Sequence, residues 1–161
     1  MGKVKLPSTP ALRLLRSAGA AFEIHQYVYE ERGGTKVSSR ELGVDEHAVI
    51  KTLIFEDTRA QPLVVLMHGD LSVSTKRLAR FLEVKSLSAC KPEVAQRHSG
   101  YRVGGTSPFG LRKAMPIYAE TSIFELEKIW INGGQRGLLV EISPVTLEEV
   151  LSVTKVQVGT D

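Results

Sequence analysis

The pattern of hydrophobic and polar positions along the chain predicts a series of short strands and helices, with a buried strand at residues 49–55. This run of β-branched and aromatic residues is bounded by polar residues on both sides. Its length and composition are typical of an interior strand that is covered on both faces. Because successive side chains of a strand point to opposite faces, Lys51 shares an otherwise apolar face with Val49, Leu53 and Phe55.

Lys51 has two interpretations. Its aliphatic stem could lie along the apolar surface while the ammonium group reaches water at the edge of the sheet. Alternatively, the ammonium group points into a pocket and contacts an anionic or carbonyl-bearing ligand. Taken by itself, the strand favours the first interpretation.

Capping residues and prolines predict five helices around this strand. Thr9 followed by Pro10 predicts a first helix that ends before Gly19. Ser74 caps a helix whose core face would be Leu78, Phe81 and Leu82, and Asp45 caps a short turn. The other predicted helices are 38–42, 92–97 and a last one from Ser143-Pro144 to 150, while residues 30–36 are predicted to be a flexible connection.

Further strands are predicted wherever apolar residues alternate or run together between turns. They lie at 22–28, 63–67, 84–89, 116–120, 129–131, 138–142 and 156–158. A short polar turn joins the strand at 49–55 to that at 63–67, which predicts an antiparallel hairpin. Strands outnumber helices and several are joined by short turns. The predicted fold class is therefore α+β, with a mainly antiparallel mixed sheet or partial barrel surrounded by helices.

Composition restricts the classes of protein that remain. The 161 residues suit one domain spanning 1–161, with about residues 1–8 as a flexible tail. A formal net charge of +3 permits a nucleic-acid partner without requiring one. One cysteine, Cys90, excludes an internal disulfide framework and fits a reducing compartment. The start has no apolar stretch of signal-peptide length, so we expect a cytoplasmic protein with no membrane contact.

Two glycine-rich segments, 100–110 and 132–137, are the first candidates for a functional site. Glycine lets backbone N–H groups approach a ligand, but it also permits tight turns with positive φ. Neither segment has the spacing of a P-loop or a dinucleotide fingerprint. Four scattered histidines, a serine outside any nucleophile elbow and a cysteine without an activating neighbour provide no triad and no metal-ligand spacing. We therefore expect no metal and no cofactor.

Three motifs together resemble the YbaK/EbsC family of aminoacyl-tRNA deacylases, which is similar to the editing (insertion) domain of bacterial prolyl-tRNA synthetase. The motifs are AVIKTL at 48–53, GGTSP at 104–108 and NGGQRG at 132–137, in the family's order. The resemblance extends to residues 9–11 and 22–27, and so covers nearly the whole chain. It implies the fold of the YbaK and prolyl-tRNA synthetase-associated domains.

The resemblance also implies roles for individual residues. Lys51 matches the family's functionally required lysine, which holds the aminoacylated 3′ end of the tRNA. The substrate-binding residues that it implies are Tyr27, Thr52, Gly104, Gly105, Ser107, Pro108 and Asn132. Two positions depart from YbaK itself: Asn132 replaces a serine, and Leu139 replaces an aspartate. Glu141, which faces the same way as Leu139, is a candidate to replace that carboxylate.

The function implied is trans-editing, the removal of cysteine mischarged onto tRNA(Pro). The implied partners are the 3′ acceptor end of an aminoacylated tRNA and prolyl-tRNA synthetase. A cysteinyl ester can be attacked by its own thiol with release of a thiolactone, so either a lyase-type or a hydrolase reaction is compatible with the resemblance. Two alternatives stay open: a deacylase for Ala-tRNA(Pro) or another small aminoacyl-tRNA, and a non-catalytic module that binds tRNA or a synthetase.

Overall fold

The computed structural model describes residues 7–161. Of the predicted N-terminal tail, residues 1–6 lie outside the described part, and Pro7 and Ser8 precede the first helix without regular structure. The five α-helices of this part are α1 (Pro10–Ser17), α2 (Gly34–Leu42), α3 (Thr75–Leu82), α4 (Pro92–Ser99) and α5 (Val145–Val150). Two 3₁₀-helices lie at Glu46–Ala48 and Thr121–Glu125.

The strands form one large mixed sheet and one small ribbon. They are β1 (Glu23–Gln26), β2 (Val49–Asp57), β3 (Pro62–His68), β4 (Ser72–Val73), β5 (Leu87–Ala89), β6 (Ile117–Glu120), β7 (Ile129–Gln135), β8 (Leu138–Ile142), β9 (Val153–Val156) and β10 (Gly159–Thr160). The large sheet has the order β1-β8-β7-β2-β3-β6-β9, with β5 paired to the end of β2, and β4 pairs with β10. Pairs β2–β7, β3–β6 and β6–β9 are parallel, and the others are antiparallel. The predicted α+β class with a mainly antiparallel mixed sheet is therefore confirmed.

The sheet separates two apolar clusters, because alternate residues of its central strands point to opposite faces. Ile50 and Ile54 of β2 pack with Leu12 and Leu15 of α1 on one face. Phe55 of β2 packs on the other face with members of β3 and with Leu78 of α3. The prediction that the central strand is covered on both faces is confirmed.

Capping signals located several elements correctly. The Thr9 hydroxyl accepts a hydrogen bond from the Leu12 amide at 3.1 Å, with proline in the first turn of α1. Ser74 caps α3 through the Arg77 amide in the same way, and Asp45 caps the short 3₁₀-helix. The β2–β3 hairpin forms as predicted, with Lys51 opposite Met67. These signals succeed because a cap involves only residues within one turn of each other.

The second helix begins four residues before the predicted start at Ser38. Ser38 and Ser39 lie inside α2, where their hydroxyls donate to the carbonyl oxygens of Thr35 and Lys36 instead of capping the helix. Bonding of this kind lets serine occupy a helix interior. The prediction of a flexible connection over 30–36 is therefore wrong from Gly34 onward.

The second glycine-rich segment is mostly strand, contrary to its prediction as a turn. β7 continues through Asn132–Gln135, and a bulge between Asn132 and Gln135 absorbs the two glycines. Gly134, at φ 99°, takes the conformation that the bulge requires. Only Arg136 and Gly137 remain as the turn into β8.

Three smaller predictions are also corrected. Phe81 does not face the core but is 52% exposed, and it contacts the Tyr118 ring edge-on. The predicted strand at 84–89 starts only at Leu87, because Glu83 and Val84 close the C-terminus of α3. The predicted edge strand at 156–158 is displaced, because the Glu120 carboxylate accepts hydrogen bonds from the amides of Val158 and Gly159.

Candidate functional site

The large sheet opens beside the middle of β2. On the side away from β3, β2 pairs with β7 only at Val49 and Ile50, and with β5 only from Phe55 onward. Between these two ladders, no strand within residues 7–161 pairs with β2 on that side. A cavity of about 710 Å³ occupies this opening, within the range typical of small-ligand sites.

The opening leaves the backbone of Thr52 facing the cavity. The amide of Gly69 donates to the carbonyl of Val49, and Asp57 donates to Gln61, so the odd-numbered residues of β2 bond toward β3. Alternate residues of a strand direct their amide and carbonyl groups to opposite sides. Ile54 accordingly accepts from the Cys90 amide on the open side. Thr52 lies between the two ladders, so its N–H is a donor available to a ligand.

Three predicted or implied positions form a row across neighbouring strands on one face of the sheet. Leu139 of β8 is opposite both His25 of β1 and Asn132 of β7. The parallel register pairs Val49 with Trp130 and Ile50 with Ile131, so Lys51 and Asn132 each directly follow the last paired residue of their strand. Thr35, Val37 and Ser38 of α2 also line the cavity. The sheet thus places Lys51, Asn132 and Leu139 on one wall.

Lys51 lies half-buried in the cavity wall, and its ammonium group donates a hydrogen bond to the carbonyl oxygen of Leu71. Burial lowers the pKa of Lys51, and the more distant carboxylates of Glu46 and Asp70 oppose that shift. Among residues 7–161 no carboxylate forms a direct ion pair with this ammonium group. Since an ammonium group has three donors, Lys51 has donors left for a ligand.

The turn that holds Lys51 is itself fixed by a pair of stacked histidines. The rings of His47 and His68 are parallel, with centroids 3.7 Å apart. His47 contacts the Asp70 carboxylate at 2.8 Å, and the fully buried His68 hydrogen-bonds to the Ser122 hydroxyl at 2.7 Å. Burial lowers the pKa of His68, which favours its neutral ring. Neither sequence spacing nor composition indicated this arrangement, because the two histidines are brought together by the β2–β3 pairing.

Asn132 joins the two glycine-rich segments at the edge of the cavity. Its Nδ2 donates to the carbonyl of Gly104 at 3.1 Å, while its Oδ1 accepts from the amides of Gly134 and Gln135. A Cβ atom on Gly105 would lie 2.8 Å from the backbone nitrogen of Arg136. The absence of side chains at these positions therefore allows the two segments to pack against each other.

The predicted site residues fall into two groups. Five of them line the cavity: Tyr27, Lys51, Thr52, Gly104 and Asn132. Gly105, Ser107 and Pro108 are buried behind the lining, and the Ser107 hydroxyl accepts a hydrogen bond from the Phe109 amide. Their contacts support the shape of the loop.

Two lining residues were not anticipated from the sequence. The Arg136 guanidinium lies 4.8 Å from the centre of the Tyr29 ring, in a cation–π arrangement, and donates to the Val103 carbonyl at 2.9 Å. Tyr29 also contacts Gly104, where an added Cβ would lie 2.6 Å from its hydroxyl oxygen. In the sequence, the only sign of Tyr29 as a lining residue was its alternation with Tyr27 just beyond the first strand.

Burial changes the acidity of two further groups in the cavity wall, Cys90 and Tyr27. Burial, and then the nearby Glu56 carboxylate, raise the pKa of Cys90 to about 11, so this lining thiol stays protonated at neutral pH. Burial also raises the pKa of Tyr27. The Thr52 hydroxyl is buried and has no hydrogen-bond partner among residues 7–161.

Glu141, considered as a replacement for the carboxylate missing at Leu139, does not line the cavity. It contacts His25 at 3.2 Å and the Lys128 ammonium at 3.4 Å. Within residues 7–161, Glu23, His25 and Glu141 form the one group of three His or carboxylate side chains whose ligand atoms are close enough to bind a single cation.

No helix of that same part of the chain is both long enough and apolar enough to cross a membrane.

Comparisons with known proteins agree with this architecture. A family model described as an aminoacyl-tRNA editing domain matches residues 32–150. EbsC of Enterococcus faecalis, a proposed Cys-tRNA(Pro)/Cys-tRNA(Cys) deacylase, is 26% identical over 150 residues, which cover 92% of this chain and 90% of EbsC.

Two further similarities concern prolyl-tRNA synthetase. A proline–tRNA ligase of Nitratidesulfovibrio vulgaris is 30% identical over 95 residues, which are 59% of this chain but only 16% of the ligase. The crystal structure of a proposed trans-editing enzyme for prolyl-tRNA synthetase superimposes with a TM-score of 0.84 at 18% identity, covering 97% of this chain and all of the other. At that identity the likeness is one of fold.

Proposed function

Because this chain belongs to the aminoacyl-tRNA editing domain family, we propose that it is a trans-editing deacylase that removes cysteine mischarged onto tRNA(Pro). The family acts on aminoacyl-tRNA, which identifies the substrate class. The choice of cysteine and of tRNA(Pro) is supported by the name of EbsC, which matches over nearly its whole length.

One observation carries the proposal: Lys51 lines the opening of the sheet, and no carboxylate of residues 7–161 forms an ion pair with its ammonium group. A positive charge in such a position attracts the phosphate or the ester carbonyl of an aminoacylated 3′ end. Tyr27 and Tyr29, on the lining beside it, offer aromatic rings for the terminal base. Lys51 would hold the substrate in place while the reaction occurs.

The reaction needs little from the protein, because an aminoacyl ester is already activated. The sulfur of the cysteinyl substrate attacks its own carbonyl carbon and forms a C–S bond. The C–O bond to the ribose then breaks, and the departing ribose oxygen takes the proton that the thiol has lost. The oxyanion of the intermediate would be stabilised by the free N–H of Thr52 and by Lys51. Products are a thiolactone and the uncharged tRNA.

The apolar side chain of Leu139 supports a second candidate substrate, an alanyl ester on tRNA(Pro). It contributes an apolar wall to the cavity, and an apolar pocket separates small side chains by only about 1–3 kcal/mol. An alanyl ester on tRNA(Pro) would therefore enter the same site. Its hydrolysis would require water, since alanine has no side-chain nucleophile.

In the cell, the proposed partners are the aminoacylated acceptor end and prolyl-tRNA synthetase, and the proposed compartment is the cytoplasm. Editing in trans requires access to the tRNA after it leaves the synthetic site of the synthetase. The ligase relative contains a similar segment within one longer chain.

The test is a deacylation panel with one tRNA(Pro) body carrying cysteine, serine, alanine or S-alkylated cysteine, with and without prolyl-tRNA synthetase. The proposal expects rapid loss of the cysteinyl ester, slow loss of the others, and no reaction after alkylation. Equal rates for the cysteinyl and alanyl esters would exclude the substrate thiol as the nucleophile. Loss of none of the esters would exclude a deacylase.

A further inference from the structure

We infer that the exposed face of α3, together with Lys85 and β5, forms a docking surface for the phosphate backbone of the tRNA acceptor arm. This inference rests on the proposed function and adds to it the way in which the tRNA body is held.

One short segment of the chain carries a clear excess of positive charge. Residues 75–91 contain five lysines or arginines and one acidic residue, Glu83, which makes this segment +4. The whole chain is +3, so the rest of it is slightly negative at −1. A modest total charge thus conceals a local basic patch, which is the feature that binding to a phosphate backbone needs.

The structure gathers part of this charge around a groove. Lys76 and Arg80, one helical turn apart on α3, line a surface groove of about 440 Å³ together with Lys85. All three are exposed, and none forms an ion pair with a carboxylate of residues 7–161. Arg77, by contrast, donates to the Gly159 carbonyl. The three lining cations are therefore available to an external anion.

An exposed aromatic ring accompanies the cations. Phe81 follows Arg80 on α3 and is 52% exposed, with its edge-on contact to Tyr118 holding the ring in place. A basic helical face beside an exposed aromatic ring suits RNA, because phosphates contact the cations while an unpaired base can stack on the ring. An acidic protein partner would bind to the cations, but its binding would not require the exposed aromatic ring.

The groove is placed to hold the body of a tRNA whose end is in the cavity. Leu87, at the start of β5, lines the groove, while Ala89, at its end, lines the cavity beside β2. At about 3.3 Å per residue, the two residue steps from Leu87 to Ala89 separate the groove from the cavity by roughly 7 Å. An acceptor arm that places its terminal nucleotide near Lys51 can therefore pass over β5 and along α3.

The test compares Lys76→Glu/Arg80→Glu with Arg13→Glu/Arg16→Glu, a control with the same charge change. Arg13 and Arg16 are exposed on α1, which packs on the opposite face of the sheet. Binding of unacylated tRNA(Pro) is measured by fluorescence anisotropy across a range of salt concentrations. Because this binding measurement does not depend on turnover, it can be interpreted even if the proposed deacylase activity is absent.

We expect the α3 variant to raise the Kd for tRNA(Pro) about tenfold or more. Each lost phosphate contact should reduce the slope of log K against log[salt] by about 0.7–0.9. The α1 control should stay within about twofold of the wild type. Cleavage of a short ester, 3′-cysteinyl adenosine, should be unchanged in the α3 variant, since this substrate does not reach the groove.

Equal tRNA affinity in the α3 variant and the control would overturn the inference. Retained tRNA affinity with lost binding to prolyl-tRNA synthetase would also overturn it, because the surface would then dock a protein. Lys85→Glu, which lies outside the helix, repeats the measurement independently of the folding of α3. Unchanged tRNA affinity in this variant would count against the groove.

Discussion

The side-chain amide of Asn132 donates a hydrogen bond to the carbonyl of Gly104 at 3.1 Å, and its oxygen accepts one from Gly134 at 2.7 Å. One side chain thereby connects two glycine-rich segments that are far apart in the sequence. The wall of the cavity beside Lys51 depends on this connection. Asn132 is accordingly both a cavity residue and a brace for the loop that contains Gly104.

Replacing Asn132 by alanine should weaken both segments. The variant removes the partner of the Gly104 carbonyl and of two backbone amides; because these groups are mostly exposed to water, the free energy of unfolding should fall by about 0.5–1.5 kcal/mol. Deacylation should fall more than stability alone explains, because Gly104 would no longer be held at the cavity. Urea denaturation and single-turnover rates measure the two effects. Asn132→Ser, which retains a short polar group, should recover part of the loss. If neither variant differs from the wild type in stability or rate, Asn132 does not hold the loop that contains Gly104.

Gly105→Ala should separate the two segments by steric contact. The added Cβ would meet the backbone of Gln135 and Arg136 at 2.8–2.9 Å, and backbone cannot move aside as a side chain can. We expect a loss of about 1–3 kcal/mol in unfolding free energy and a clear loss of deacylation. The control is Gly43→Ala at the C-cap of α2, where φ is 68° but the space is open. That control should lose stability through backbone strain while retaining the rate, and an active Gly105→Ala variant would refute the steric argument.

Lys51→Ala should fold normally but lose most of its deacylation. Burial lowers the pKa of Lys51, so the charged form is disfavoured in the folded protein and its removal should change stability by less than about 1 kcal/mol. A lysine that positions the ester should account for about 10²-fold or more in rate. Lys36→Ala, on the exposed side of α2, provides the control. Wild-type activity in the Lys51 variant would support the interpretation of Lys51 as a surface lysine.

The Cys90 thiol should be unreactive in the folded protein and dispensable for the reaction. With a pKa of about 11 instead of the ordinary 9.0, its thiolate fraction at pH 8 is about 100-fold lower than in the unfolded chain. The raised pKa means that the neutral thiol persists until the pH approaches the folded value. Iodoacetamide should thus alkylate Cys90 about 100-fold more slowly in buffer than in urea, and Cys90→Ala should retain deacylation. Comparable alkylation rates in both states would contradict the raised pKa of Cys90.

The sequence predicts best where the decisive contacts are local. Thr9 and Ser74 cap their helices through residues within one turn, and the alternation along β2 correctly assigns Lys51 and Phe55 to one face. The extra turn of α2 was missed because Ser38 looks like a cap but bonds backward to the Thr35 carbonyl. Local patterns cannot distinguish these two uses of the same hydroxyl.

The cavity depends on contacts between distant parts of the chain, which no local pattern encodes. The opening in the sheet exists because β7 leaves β2 after Ile50 and β5 joins it only at Phe55. The contact between Arg136 and Tyr29 likewise joins residues that are distant in the sequence. The motif resemblance identified lining residues such as Tyr27 and Asn132, but it could not show that Ser107 and Pro108 lie behind them.

The most direct measurement is the multiple-turnover cleavage of Cys-tRNA(Pro) and Pro-tRNA(Pro), each in large excess over the purified protein. We predict that each protein molecule releases many equivalents of uncharged tRNA from the cysteinyl ester, while the prolyl ester decays at its uncatalysed rate. A protein that binds Cys-tRNA(Pro) but leaves its ester intact, or that cleaves the prolyl ester equally fast, would contradict the account.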